Sequence, residues 1–161
     1  MLKLIAAVCT GGGIGNNGTI PWKCKADLKH FHRTTRGHIL VMGRVTAESC
    51  YLLPDRTIIT VSSNPKALGD HVKRNYTEAK HYALGRARQC DVFICGGEGI
   101  YYTAINDPDL KEMYITSIMD HHSCDRYFPE IEDDDWETLS VKPLGVGAFL
   151  HHYRRRENED V

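Results

Sequence analysis

Eight short β-branched or apolar runs punctuate the chain, at residues 2–9, 38–42, 57–61, 71–75, 91–95, 111–118, 136–142 and 148–154, the run at 71–75 being the weakest. Segments of helical period lie at about 25–36, 44–50, 77–88 and 99–106. A run, a helix and another run in succession make a crossover, and crossovers join parallel strands. This order predicts an α/β fold with a mainly parallel eight-stranded sheet flanked by about four helices. The last two runs follow each other with no helix between them, so an antiparallel hairpin is expected at the C-terminal edge, with Gly145 and Gly147 in or near its turn. No repeat, linker or low-complexity stretch divides the 161 residues, and a single domain over 1–161 is expected. The charge run Arg154–Asp160 is expected to be a solvated end.

A hydrophobic content of 42% and a charged content of 25% exclude disordered, fibrous and membrane classes. The 20 basic and 21 acidic side chains leave no basic footprint, so nucleic acid is not an expected partner. No stretch approaches the roughly 18 apolar residues of a membrane span. The opening Met1–Cys9 runs into glycines without a signal-peptide cleavage pattern and is expected to be a buried strand. Six cysteines, at 9, 24, 50, 90, 95 and 124, form no Cys-x-x-Cys pair and sit mostly in apolar contexts, which points to reduced thiols and a cytoplasmic location. The Asn-x-Thr triplets at Asn17 and Asn75 are read as accidental. His121, His122, Cys124 and Asp125 are metal-ligand types, but they lack the two-plus-two spacing of a structural zinc site and read as a polar loop, so no metal is expected.

Three places carry chemistry. Gly96-Gly97-Glu98-Gly99 follows the run 91–95 and precedes a helical segment with Ile100 and Tyr101. Glycines there allow close backbone approach to a ligand, and free N–H groups at a helix start attract phosphate. The segment is not the G-x-G-x-x-G fingerprint, and no acidic residue stands about twenty positions later, so an ordinary NAD-binding fingerprint is poorly supported. Taken alone, the glycines read first as a tight strand-to-helix turn. Second, Val41-Met42-Gly43-Arg44-Val45-Thr46 ends another strand on glycine and a cation that can pair with phosphate. Ser62-Ser63-Asn64-Pro65-Lys66, after the run 57–61, adds hydroxyls and a cation, a corner suited to a 2′-phosphate, hence NADP over NAD. Arg44 serves equally as a surface residue, and Ser-Ser-Asn-Pro as an ordinary turn.

The third place is Ile20-Pro21-Trp22 followed by Ala26-Asp27-Leu28 and Phe31. The glycine-rich stretch 11–18 before it reads as too flexible for core and suited to a mobile lid. Asp27 and Phe31, four apart, share one helix face beside Leu28, which sets a carboxylate at the edge of an apolar stripe. On spacing alone the plainer reading, an Asp that caps or solvates the first turn, is the stronger.

These residues together are specific. Ile5-Ala6-Ala7, Ile14-Gly15, Pro21-Trp22, Ala26-Asp27-Leu28 with Phe31, Met42-Gly43-Arg44 with Thr46, Glu48-Ser49, Leu53-Pro54 with Arg56, Ser62-Ser63, Gly96-Gly97 with Tyr101, Tyr114 with Thr116, and Asp125 with Phe128-Pro129 resemble, in order, the dihydrofolate reductase family. The resemblance implies NADPH-dependent reduction of dihydrofolate by a monomer that also binds antifolates. It implies that Asp27 accepts hydrogen bonds from the pterin's 2-amino group and adjacent ring nitrogen, that Thr116 bonds the same region, and that Trp22 closes over the site; these three form the catalytic set. Ile5, Ala6, Leu28, Phe31, Cys50, Leu53 and Cys95 would line the substrate, with Arg56 clamping the glutamate α-carboxylate. Ala7, Ile14, Ile20, Gly43, Arg44, Val45 and Thr46 would meet the cofactor, as would Ser62, Ser63, Cys95 and the run Gly96, Gly97, Glu98, Gly99, Ile100 and Tyr101.

The chain departs from the family pattern in places. Ala47 stands where many relatives carry a bulky aromatic, leaving space for another side chain to fill. Cys50 and Cys95 replace aliphatic or hydroxyl side chains, and Tyr51-Leu52-Leu53 has no basic residue near the glutamate tail. The triple glycine 11–13 suggests a loose lid. Two alternatives are a pyrimidine reductase of riboflavin synthesis, against which the Asp27 setting and Arg56 argue, and a non-catalytic folate- or nucleotide-binding protein on the same fold.

Overall fold

The computed structural model describes residues 1–158. Glu159 and Asp160 of the charge run lie outside the described residues. The elements follow in the order β1 (Leu2–Thr10), β2 (Gly13–Gly15), α1 (Lys25–Thr35), β3 (Ile39–Gly43), α2 (Arg44–Cys50), β4 (Thr57–Val61) and β5 (His71–Lys73). After these come α3 (Tyr76–Arg86), β6 (Val92–Ile94), α4 (Glu98–Ile105), β7 (Leu110–His121), β8 (Arg126–Tyr127), β9 (Trp136–Gly145) and β10 (Ala148–Arg155).

Eight strands form one sheet in the order β5-β4-β3-β6-β1-β7-β10-β9. The pairings from β5 through to β7 are parallel, and β10 runs antiparallel to both β7 and β9. The expected sheet, its four helices and its C-terminal hairpin are all present. Central strands read as continuous apolar runs because helices cover both faces: residues 39–42 and 92–94 are buried without interruption. Asn75 has a structural use, since its side chain caps α3 by accepting from the Glu78 N–H at 2.9 Å.

One core cluster joins Leu2, Leu4, Val41, Ile94 and Leu110 to Ala79 and Ala83 of α3 and Ala104 of α4. A second holds Ile5, Leu40, Met42, Ala47, Ile58 and Phe93, with Phe31 of α1 and Cys50 of α2 against it. Ala47 is fully buried there, so the position gives up an aromatic ring and still belongs to the core. Truncating fully buried Leu4 or Leu40 to Ala costs about 2–5 kcal/mol.

Two expectations need correction. The glycine-rich segment is not free of the core: Gly13 is buried, β2 pairs with β8 in a separate two-stranded sheet, and a Cβ on Gly13 would fall 2.3 Å from Cys124 Sγ. That small sheet is absent from the sequence reading. The segment is also tied to its neighbours by hydrogen bonds. Gly12 N–H donates to Cys9 O at 3.0 Å, Phe128 N–H to Gly12 O at 2.9 Å, and Asn17 N–H to the Asp125 carboxylate at 3.1 Å. Finally, Arg155 is not a solvated tail residue. Its guanidinium donates to the carbonyls of Leu110, Ile105 and Asp107 at 2.7–2.9 Å and lies 4.4 Å from the Trp136 ring centroid. Three carbonyl acceptors and an aromatic face outweigh hydration of the cation at that position. All six cysteines are free, with Cys9 Sγ 3.9 Å from Cys124 Sγ. Among the described residues no helix is long and apolar enough to cross a membrane, and no three His, Cys, Asp or Glu side chains converge to hold a metal ion.

Candidate active site

The connections leaving β1 and β6 diverge, one toward β3 and the other toward β7, which opens a crevice at the carboxyl ends of adjacent strands. Asp27 enters it from the first turn of α1. On the facing strand Thr116 stands in register with Ala7 and is 1% exposed. Burial pushes the Asp27 carboxyl above the usual carboxylate range, while the Thr116 hydroxyl and the charge of His30 oppose the shift. No aligned hydrogen bond closes between the two, and Thr116 Oγ1 is a buried polar atom without a partner. A half-buried carboxyl beside an orphan hydroxyl suits a flat ring that presents both donors and acceptors.

Ile5 and Ala6 of β1 are buried behind this point, and Phe31, Cys50 and Cys95 pack on the second core cluster around Ile5. Burial raises the thiols of Cys50 and Cys95, which therefore stay neutral in the wall. Leu28 is 54% exposed at the mouth, and Leu53 is half-buried. Arg56 is anchored at the end of α1: Nε donates to Thr35 Oγ1 at 3.1 Å, Nη1 to Pro54 O at 2.6 Å, and Nη2 to His32 O. Its remaining N–H groups are available to an anion, in a fixed orientation. Trp22 packs with Cys9, Ile118 and Ala148 rather than standing free, and its ring lies 5.7 Å from that of His122.

The glycine turns meet each other. Gly43 N–H donates to Gly96 O at 2.8 Å, and a Cβ on Gly43 would lie 3.7 Å from Gly97 N. Gly96 has φ +120°, and a Cβ there would lie 3.4 Å from both Thr46 Oγ1 and the Tyr101 hydroxyl. Gly97 caps α4 with no side chain, so its first N–H groups face outward. Gly43 is in register with Val61, so Arg44 and Ser62 leave adjacent strands side by side. Arg44 itself pairs with Glu48 at 2.7 Å, exposed on α2 next to exposed Val45. Ile14 packs against the first core cluster, Ile100 does the same beside the turn, and Ile20 is exposed. Ser63 and Gly99 are also exposed. Two of the expected contact residues also have structural work. The Glu98 carboxylate accepts from Tyr127 N–H at 2.7 Å, and the buried Tyr101 hydroxyl donates to Ile5 O at 2.8 Å.

A family model described as dihydrofolate reductase matches residues 1–146. The chain belongs to the dihydrofolate reductase family. The dihydrofolate reductase of Drosophila melanogaster is 37% identical over 163 residues, covering 89% of this chain and 88% of that protein. That of Staphylococcus haemolyticus is 31% identical over 150 residues, covering 88% and 84%. Among solved structures, dihydrofolate reductase from Enterococcus faecalis complexed with NADP(H) and RAB-propyl superposes with a TM-score of 0.87 at 33% identity, covering 98% of this chain and 97% of that one.

Two features of the dihydrofolate reductase site escaped the sequence reading. His30 was not singled out, although its i, i+3 spacing from Asp27 was there to be used. The clasp that Asp125 and Tyr127 place on residues 13–17 joins distant segments and left no local signal.

Proposed function

We propose that Asp27, Thr116, Arg56 and the two joined glycine turns carry the reaction of the family, the NADPH-dependent reduction of dihydrofolate to tetrahydrofolate. The activity is that of an oxidoreductase acting on a C–N bond, with NADPH as its cofactor. The observation that carries the assignment of residues is the half-buried Asp27 carboxyl beside the unpartnered Thr116 hydroxyl.

The crevice fits both ligands. The orphan hydroxyl and the carboxyl match the donor and acceptor edge of a pterin, and the side-chain-free cap of α4 with the Gly96 turn admits a phosphate-bearing group close to the backbone. Asp27 holds the 2-amino group and adjacent ring nitrogen, and Thr116 bonds the same region. Phe31, Leu28 and Leu53 wall the aromatic tail, and Arg56 grips the α-carboxylate of the glutamate. NADPH, when bound, supplies the hydride to pterin C6. The raised pKa of Asp27 keeps a proton available at pH values where an ordinary carboxyl is bare, and water delivers it to N5 under that influence. Arg44, Ser62 and Ser63 favour a 2′-phosphate, and Trp22 with the clasped lid excludes bulk water.

The protein acts on small molecules, and we place it in the cytoplasm as a monomer. Loss of NADPH absorbance on adding dihydrofolate, abolished by an antifolate, is the expected assay result. No decay with dihydrofolate would overturn the assignment.

A further inference from the structure

Two thiols stand together outside the crevice, and nothing in the reaction above uses them. Cys9, next to last on β1, and Cys124, in the turn between β7 and β8, are 115 positions apart in sequence, yet their Sγ atoms lie 3.9 Å from each other. Gly13 covers the pair, since a Cβ there would fall 2.3 Å from Cys124 Sγ and 3.1 Å from Cys9 Sγ. A side chain at that position would part the sulfurs or lift β2 off them.

The two sulfurs differ in access. Cys9 is 4% exposed, in the cluster of Trp22, Ile118 and Ala148, and Cys124 packs against that cluster. Cys124 is half-buried and lines a groove of about 320 Å³ together with Gly11, Gly13, His121 and His122. It is also the root of the clasp on the glycine-rich segment. Its carbonyl accepts from the Tyr127 hydroxyl at 2.9 Å, and the next N–H, that of Asp125, donates to Gly15 O at 3.0 Å. We propose that Cys9 and Cys124 are a modification site, a dithiol that a small-molecule disulfide of the glutathione kind closes to a protein disulfide, pinning residues 11–18 to the end of β1.

The exchange balances. Cys124, the accessible thiol, attacks one sulfur of the small disulfide as a thiolate. That S–S bond breaks, and the departing thiolate takes up a proton in place of the one Cys124 gave up. The Cys9 thiolate then attacks Cys124 Sγ in the mixed disulfide, the Cys9–Cys124 bond forms, and the second small thiol leaves with the proton from Cys9. Two protein thiols are oxidised, and one small disulfide is reduced to two thiols. The sulfurs must approach from 3.9 Å to about 2.05 Å, a movement on the scale of side-chain rotation. Burial, with the Cys9 sulfur and Asp125, raises the Cys124 thiol against the opposing Gly15 amide, so the pair rests protonated and the first attack quickens as pH rises. His121, His122 and Tyr127 are the other titratable groups on that groove. Trp22 packs on Cys9 and lies 5.7 Å from the His122 ring, so the bond reaches the residue proposed to cover the crevice.

The bond itself does not depend on the reductase reading; only its effect on turnover rests on that reading. The full chain is incubated with oxidised glutathione or with dithiothreitol, and its peptides are mapped by mass without reduction. The oxidised wild type is expected to yield the linked Cys9–Cys124 peptide, to exchange the amides of residues 11–18 more slowly, and to melt roughly 5–10 °C higher, because closing so long a loop constrains the unfolded chain. Dithiothreitol should reverse all three. C9A should stop with one glutathione on Cys124, whereas C124A should leave the buried Cys9 unmodified; C9S and C124S repeat the comparison if an alanine variant folds poorly. Steady-state oxidation of NADPH by dihydrofolate should fall about threefold to tenfold in the linked protein. A linkage between other cysteines, or none, would overturn the site, and linked protein with unaltered exchange at residues 11–18 would overturn the pinning. Reduced protein that turns over no dihydrofolate would instead overturn the proposed function, with the mapping and exchange results still deciding the dithiol.

Discussion

The two halves of the crevice are made of different material. Between α1 and β7 the polar groups of the crevice are side chains in apolar surroundings, Asp27 and Thr116. At the ends of β3 and β6 they are backbone N–H groups freed by glycine, while the charged side chains nearby are already satisfied, exposed Arg44 by Glu48 and half-buried Glu98 by the Tyr127 amide. A charge in a low-dielectric wall interacts several-fold more strongly than one on the surface. Substitutions should therefore be severe on the substrate side, severe on the cofactor side only where glycine itself is required, and mild at the exposed ion pair.

Asp27→Asn carries the largest expected effect, a fall in single-turnover hydride transfer on the order of a hundredfold at neutral pH. Because burial raises the folded pKa of Asp27, its protonated form, and the rate that needs it, are full below that pKa and decline as pH rises through it. The same shift means that folding opposes the charged carboxylate once pH exceeds the unfolded value. The Asn variant should therefore melt above the wild type at neutral pH and lose that advantage in acid. A variant both slower and less stable at neutral pH would break the contrast on its substrate side.

Gly96→Ala comes next. A side chain at φ +120° beside Thr46 and Tyr101 is strained by about 1–3 kcal/mol, so denaturant titration should show lost stability and equilibrium titration a weaker hold on NADPH. Unchanged NADPH binding would remove the glycine turn from the cofactor half. Arg44→Ala should weaken NADPH about fivefold to tenfold and NADH much less, a charge-assisted hydrogen bond being worth about 1.5–3 kcal/mol before solvent screening. Equal losses for both cofactors would take Arg44 away from the 2′-phosphate. Glu48→Gln should do least, tightening NADPH within the roughly 1 kcal/mol expected of an exposed pair, as binding curves at low and high salt would show. An effect as large as that of Gly96→Ala would show that exposure does not set the order.

The order of strands and helices was legible because each of the eight runs carries its own periodicity and each glycine or proline its own punctuation. Asp27 was legible as one carboxylate on an apolar stripe, and its setting became specific only with the ordered motif around it. The β2–β8 sheet was not, since strands of three and two residues have no period and their partners are far apart in sequence. Arg155 was misjudged for a related reason: a run of charges looks solvated until the carbonyls of residues 105–110 fold up against it.

By itself the sequence determined the α/β alternation and the hairpin at the C-terminal edge, because these follow from local periodicity and punctuation, while the residues proposed for the site came from the ordered family motif. Only tertiary structure decided which polar atoms are left without partners and that the Gly43 and Gly96 turns are joined by one hydrogen bond. Burial and partnering depend on segments distant along the chain, and desolvation, the cause of the raised Asp27 pKa, exists only once those segments have packed.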